Sequence, residues 1–201
     1  MSGIYYDEHE KFQIDLRKTI WSTDGLHNLY KTTIGNELSD VDWICETEST
    51  IYLIEFKTPT FTWDDSLCKC NGCDCNACKT ESRICEKCGK AVAKKAVKKD
   101  NYLEFLDKSR KKYYGSIYYL FAMGKSKPIK YYCVVNHSIA DRTWRKKATA
   151  SIKTRLPFNL QKVEGISAGL IDDFKVLSIR EWNELHPFFP LKPLNEMEKN
   201  L

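Results

Sequence analysis

Ile51-Tyr52-Leu53-Ile54-Glu55-Phe56-Lys57 is the strongest strand signal in this 201-residue chain. It is rich in the branched and aromatic side chains that pack on a pleated surface, and Pro59, which cannot donate to a ladder, ends it. Side chains alternate between faces along a strand. Glu55 and Lys57 therefore share one face with Ile51 and Leu53, and Ile54 and Phe56 take the other. Charge within so apolar a strand is costly to bury unless something satisfies it. A divalent cation and a phosphate would satisfy both side chains.

Immediately upstream, Val41-Asp42-Trp43-Ile44-Cys45 has strand chemistry, and the polar stretch 46–50 turns the chain between the two strands. Asp42 lies 13 residues before Glu55, a separation that a strand–turn–strand unit converts into adjacency. Two carboxylates with water make a hard-oxygen site suited to Mg²⁺ or Mn²⁺, with the backbone carbonyl of Phe56 as a further candidate ligand. Such an ion polarises a phosphate and activates water; Lys57 would orient that water or stabilise the developing charge. Asp40 is the alternative carboxylate. Asp42 is preferred because Val41 and Trp43-Ile44 flank it, which places it inside the strand.

Working outward, residues 4–20 read as an amphipathic helix, because Phe12, Leu16 and Ile20 recur every four residues. Residues 21–37 are ambiguous between strand and short helix, with breaks at Gly25 and Gly35. Beyond the central strand, 91–114 reads as a helix with Leu103, Leu106 and Tyr113 on one face. Residues 116–122 and 130–135 read as strands around the loop Gly124–Pro128, 138–155 as a basic helix, and 174–179 as a strand. Ser178 and Glu181 fit a capping box opening the helix 180–185. This order predicts an α/β or α+β domain around a mixed sheet. The length suits a single domain over 1–201. Within it, 66–90 is set apart as a cysteine-rich insertion and 138–201 as a C-terminal extension of the core.

The constellation Asp42…Glu55-Phe56-Lys57 resembles the PD-(D/E)xK nuclease superfamily, which includes many restriction endonucleases and archaeal Holliday-junction resolvases. The resemblance covers roughly residues 4–136. It implies a restriction-endonuclease-like αβββαβ core with the aspartate and the E-x-K tripeptide on adjacent strands. It also implies Mg²⁺- or Mn²⁺-dependent hydrolysis of DNA phosphodiester bonds. Many members add a glutamate from the first helix to the metal site, which points to Glu10, with Glu8 second. The helix after the E-x-K strand often borders the site, so Lys94, Lys95, Lys98 or Lys99 would reach it. Similar enzymes commonly pair two active sites on a duplex, which implies a homodimer. Two departures stand out: Val41, not proline, precedes the aspartate, and the cysteine insertion is foreign to the core pattern.

Seven of the nine cysteines fall between Cys68 and Cys88. Three C-x-x-C pairs, Cys70/Cys73, Cys75/Cys78 and Cys85/Cys88, have the spacing of zinc knuckles, and Cys68 is extra. Clustering of this kind without a secretory signal argues for structural Zn²⁺ rather than disulfides. Cys75, Cys78, Cys85 and Cys88 form the most compact set. Cys70 and Cys73 would replace one pair, or all would share two ions. An iron–sulfur cluster is the rival. Cys45 and Cys133 sit in apolar strands and read as core residues.

Charge is distributed unevenly. Residues 1–90 carry 10 basic and 16 acidic side chains, whereas 91–201 carry 22 and 11. A basic half beside a carboxylate site fits a polyanion next to a cation. Lys111 and Lys112, then Arg142, Arg145, Lys146 and Lys147, are the candidate phosphate contacts, with Trp144 available to stack on a base. DNA is the expected partner and RNA the second. No run of about 18 apolar residues appears, and the N-terminus has acids where a signal peptide has bases. An intracellular protein without membrane association is expected. His9, His27, His137 and His186 are scattered and take no assigned role. A protein of a different class, a non-catalytic zinc-containing nucleic-acid-binding regulator, accounts for the cysteines and the basic half equally well.

Overall fold

The computed structural model describes residues 3–7, 11–24, 26, 38–57, 99–136, 140–165 and 170–194. The chain divides into two compact units, one formed by Met1–Pro59 with Leu106–Leu201 and the other by Thr60–Phe105. Of the second unit, only 99–105 is described. The cysteine segment 68–88, Glu8, Glu10, Lys94, Lys95 and Lys98 lie outside the described residues.

The architecture is mixed α/β; among the described residues it has a central five-stranded sheet and three helices. The sheet comprises β3 (Trp21–Thr23), β4 (Trp43–Glu46), β5 (Ile51–Lys57), β6 (Ile129–Val135) and β7 (Asp173–Ser178), hydrogen-bonded in that order. The β3/β4 and β4/β5 pairs are antiparallel, while β5/β6 and β6/β7 are parallel. Residues 47–50 close the tight β4–β5 connection: Thr47 and Thr50 exchange backbone and side-chain hydrogen bonds. A parallel neighbour needs a crossover instead, and helix α1 (Lys99–Ala122) lies in the one leading to β6. Helices α2 (Arg142–Lys153) and α3 (Ile179–Leu185) flank β7 in sequence. Ser178 and Glu181 form the capping box at the start of α3.

The described residues of 4–20 are not helical. They form β1 (Ile4–Tyr6) and β2 (Phe12–Asp15), which join β8 (Leu191–Pro193) in an antiparallel sheet of order β1-β2-β8. The four-residue spacing misled because a two-residue spacing coexists with it. Ile14 and Leu16 are the buried pair, while Ile20 is exposed. Asp7 fixes the hairpin by accepting from the backbone N–H groups of Lys11 and Phe12, both at 2.7 Å.

Residues 116–122 are not a strand either; they continue α1. Its buried line runs Leu106, Ser109, Tyr113, Ser116, Ile117 and Leu120, the three-and-four spacing of a helix face, and leaves Leu103, Tyr118 and Phe121 exposed. Gly115 does not break the helix. It lets the backbone of Ser39 come close, since a Cβ there would overlap the Ser39 carbonyl oxygen.

The two faces of the central sheet follow from its register. One carries Ile44, Leu53, Tyr131 and Phe174 in a row, then Glu55, Cys133 and Val176 in the next. Tyr113 of α1 stacks on Tyr131 at 5.8 Å between ring centroids. The opposite face carries Trp43, Ile54, Phe56, Tyr132, Val134 and Leu177. These pack with Ile14, Leu16 and Leu191 of the smaller sheet, with Trp182 of α3, and with Phe189. Each such large apolar side chain contributes about 1.5–3 kcal/mol when removed from water. No helix among the described residues is long and apolar enough to cross a membrane.

Candidate active site

Glu55 sits in the interior of the sheet face covered by α1, on a central strand, and is fully buried. Extending the β4/β5 register by one step beyond the pair Trp43↔Ile54 sets Asp42 opposite Glu55. Asp42 lies immediately before β4 rather than inside it. Its Oδ2 accepts from the backbone N–H of Phe56 at 2.6 Å, which ties the carboxylate to β5. Asp40 is buried, while the Asp42 side chain is about a third exposed.

Two lysines meet these carboxylates. Lys57 Nζ lies 2.7 Å from Glu55 Oε1. Lys112 Nζ donates to Glu55 Oε2 at 2.7 Å and to Asp42 Oδ1 at 3.0 Å. The helix is pinned one turn later: the Val41 N–H donates to Ser116 Oγ at 3.1 Å, beside the close approach of Gly115 to Ser39. Helix α1 thus delivers Lys112 to the segment that carries Asp42.

Burial, together with the neighbouring Asp42 charge, pushes Glu55 up to about 7 despite the two ammonium groups. Burial also opposes the charge of Lys112, but Glu55 and Asp42 outweigh it and hold the ammonium above the usual lysine range. Glu55 Oε1 accepts no hydrogen bond, because Lys57 approaches it outside donor geometry. A fully buried carboxylate oxygen lacking a hydrogen bond is a fit for a hard cation. Asp42, Glu55 and the Phe56 carbonyl are the groups that would hold it. Among the described residues, no group of three or more His, Cys, Asp or Glu side chains comes together.

Around Glu55 the floor of the site is neutral. Burial, then the Glu55 charge, pushes Cys133 up to about 12. Tyr131 donates to the Ser109 carbonyl at 3.0 Å and is fully buried. On the opposite face of the sheet, Cys45 is pushed up to about 12 by burial alone. Neither thiol is a nucleophile at neutral pH.

Comparison with family models, with curated proteins and with solved structures finds no match.

The residues expected to touch phosphate divide into four groups. Lys112 is turned into the carboxylate site instead of outward, with 19% of its side chain exposed. Lys111 is exposed and pairs with Asp107 at 3.1 Å. On α2, Arg145 is committed to the fold: its guanidinium meets Glu181 at 2.8 Å and the Ala140 carbonyl. Arg142, Lys146 and Lys147 are exposed. Arg142 and Lys146 line a cleft of about 430 Å³ with Thr149, Lys153, Lys175 and Val176. Val176 stands in the register row of Cys133 and Glu55, two strands away, roughly 10 Å across the sheet.

Proposed function

We propose that this chain is a divalent-cation-dependent nuclease, with Asp42, Glu55 and Lys57 at its centre. The reading rests on one observation above the others: Asp42, immediately before β4, and Lys57 converge on the fully buried Glu55 of β5 beneath helix α1. The antiparallel β3-β4-β5 unit, followed by α1 and the parallel β6, supports the βββαβ portion of the core that the PD-(D/E)xK resemblance implies. A Mg²⁺ or Mn²⁺ ion would supply Lewis acidity at a phosphoryl oxygen. Asp42 and Glu55 would hold it, and Lys57, a third exposed, would stabilise negative charge that develops on the phosphate. The cleft lined by Arg142 and Lys146 would take the flanking phosphates. Nucleic acid, with DNA before RNA, is the substrate class this charge pattern supports. The C-x-x-C pairs of 70–88 are read as ligands of structural Zn²⁺ on spacing alone; elemental analysis separates zinc from iron. A homodimer remains part of this proposal.

The test is cleavage of a panel of duplex, single-stranded, flap and junction DNA with Mg²⁺ or Mn²⁺, alongside Lys57→Ala and Glu55→Ala. Cation-dependent cutting by the wild type and loss of at least about 100-fold in both variants is expected. A second reading has its own observation. Lys57 and Lys112 balance the charge of Asp42 and Glu55, so the cluster can serve as a purely structural ion network. A non-catalytic zinc-containing nucleic-acid-binding protein would then bind the panel without cutting it, and Lys57→Ala would change nothing.

A further inference from the structure

Each oxygen of the two carboxylates has a neighbour. Asp42 Oδ2 faces the Phe56 amide, and Glu55 Oε1 faces Lys57. The remaining two, Asp42 Oδ1 and Glu55 Oε2, both meet the single ammonium of Lys112. Among the described residues, Lys57 is ion-paired with Glu55 alone. Lys112 therefore stands between the two carboxylates that would hold a shared ion. A hard divalent ion takes oxygen ligands at about 2.1 Å, so it and the ammonium at 2.7–3.0 Å cannot share that place. Lys112 reaches in from α1 on a flexible four-carbon stem, and its side chain is 19% exposed, which leaves it a way out. Glu55 Oε1 is buried and meets only the Lys57 ammonium among the described residues, without a hydrogen bond.

We propose that Lys112 is a built-in counter-ion that closes the Asp42–Glu55 pair in the absence of a divalent cation and sets the cation concentration at which the site loads. The proposal rests on reading the pair as a cation site. In this role Lys112 is a positioning residue. It keeps two carboxylates together that would otherwise repel each other beside a buried floor, and it withdraws as a doubly charged ion takes its place between them. Its withdrawn ammonium would then lie next to the phosphate path.

The experiment is calorimetric titration of the full-length protein with Mn²⁺ alone, without nucleic acid, for wild type, Lys112→Met and Lys112→Arg. Methionine keeps the length and packing of the stem and removes the charge; arginine keeps the charge. Lys112→Met should bind Mn²⁺ about tenfold tighter or more, because a competing charge in direct contact is gone, and Lys112→Arg should bind no tighter than wild type. Circular dichroism confirms folding. If Lys112→Met does not fold, Lys112→Gln carries the same comparison. Equal or weaker Mn²⁺ binding by the neutral variant overturns the counter-ion role and leaves the cation-site reading standing. Tighter binding by both the neutral variant and Lys112→Arg also overturns it, since the effect would then be one of shape. Absence of Mn²⁺ binding in wild type and variants alike overturns both.

Discussion

Replacing Gly115 with alanine sets two physical effects against each other. Intrinsic helix propensity favours alanine over glycine by about 1 kcal/mol at a mid-helix position. At Gly115, however, the added Cβ would overlap the carbonyl oxygen of Ser39. The obstacle is backbone, so no rotamer change relieves it, and α1 must retreat or the 38–42 segment must move. Overpacking of this kind costs about 1–3 kcal/mol. The retreat also pulls Ser116 Oγ from the buried Val41 N–H, and an unsatisfied buried amide costs about 1–3 kcal/mol more. The clash and the lost bond together exceed the propensity gain, and net destabilisation of about 3 kcal/mol is expected. Urea denaturation followed by circular dichroism measures it, with Ser116→Ala as the companion that removes the hydrogen bond without the clash. Because Lys112 and Asp42 are positioned by this contact, a displacement of roughly 1 Å should also lower cleavage about 100-fold. A Gly115→Ala protein as stable as wild type, or more so, would refute the claim that this helix–segment contact holds the site.

Two further predictions concern other parts of the fold. His186 is enclosed by Tyr52, Tyr132, Trp182 and Phe189, and burial, reinforced by Lys130 and Lys175, lowers it from its ordinary 6.5 to about 4. The unfolded chain therefore binds the extra proton between these values, so stability falls as pH drops from 6.5 towards 4 and the loss levels off below, with a ceiling of about 3 kcal/mol. Urea melts across that window should be steeper in pH for wild type than for His186→Phe; parallel curves would contradict the burial argument. On α2, Arg142→Ala with Lys146→Ala should weaken DNA binding without regard to sequence and reduce the salt slope of log K by about two. An unchanged slope in a filter-binding or anisotropy series would remove the cleft from the nucleic-acid path.

The central strand was legible because its alternation, its terminal proline and its misplaced charges all agree on one element. The face shared by Glu55 and Lys57 followed from period two alone. The 46–50 turn, the strand around 130–135, helix α2 and the α3 capping box were likewise written in local chemistry. What failed were segments where two periods compete. Phe12, Leu16 and Ile20 carry a helical spacing, yet Ile14 and Leu16 carry the strand spacing that packing on β8 and the main sheet selects. Residues 116–122 are aromatic enough for a strand, and Gly115 resembles a break until the neighbouring Ser39 backbone is known. Short strands such as β3 and β8 exist only through their partners. Lys112 was visible only as one base in Arg110-Lys111-Lys112. Its distinguishing signal is position, three residues after the buried Ser109 and four before the buried Ser116, which sets it on the inward stripe of α1. The sequence carried that signal; the basic run around it concealed it.

The most direct test of the centre is anomalous diffraction from crystals of the full chain grown with a DNA duplex and Mn²⁺. The account predicts an anomalous peak bound by Asp42 and Glu55, Lys112 Nζ withdrawn from both carboxylates, and Lys57 facing a phosphate. Lys112 still bridging Asp42 and Glu55, with no manganese between them while DNA is bound, would contradict it and leave the carboxylate–lysine cluster as a structural ion network.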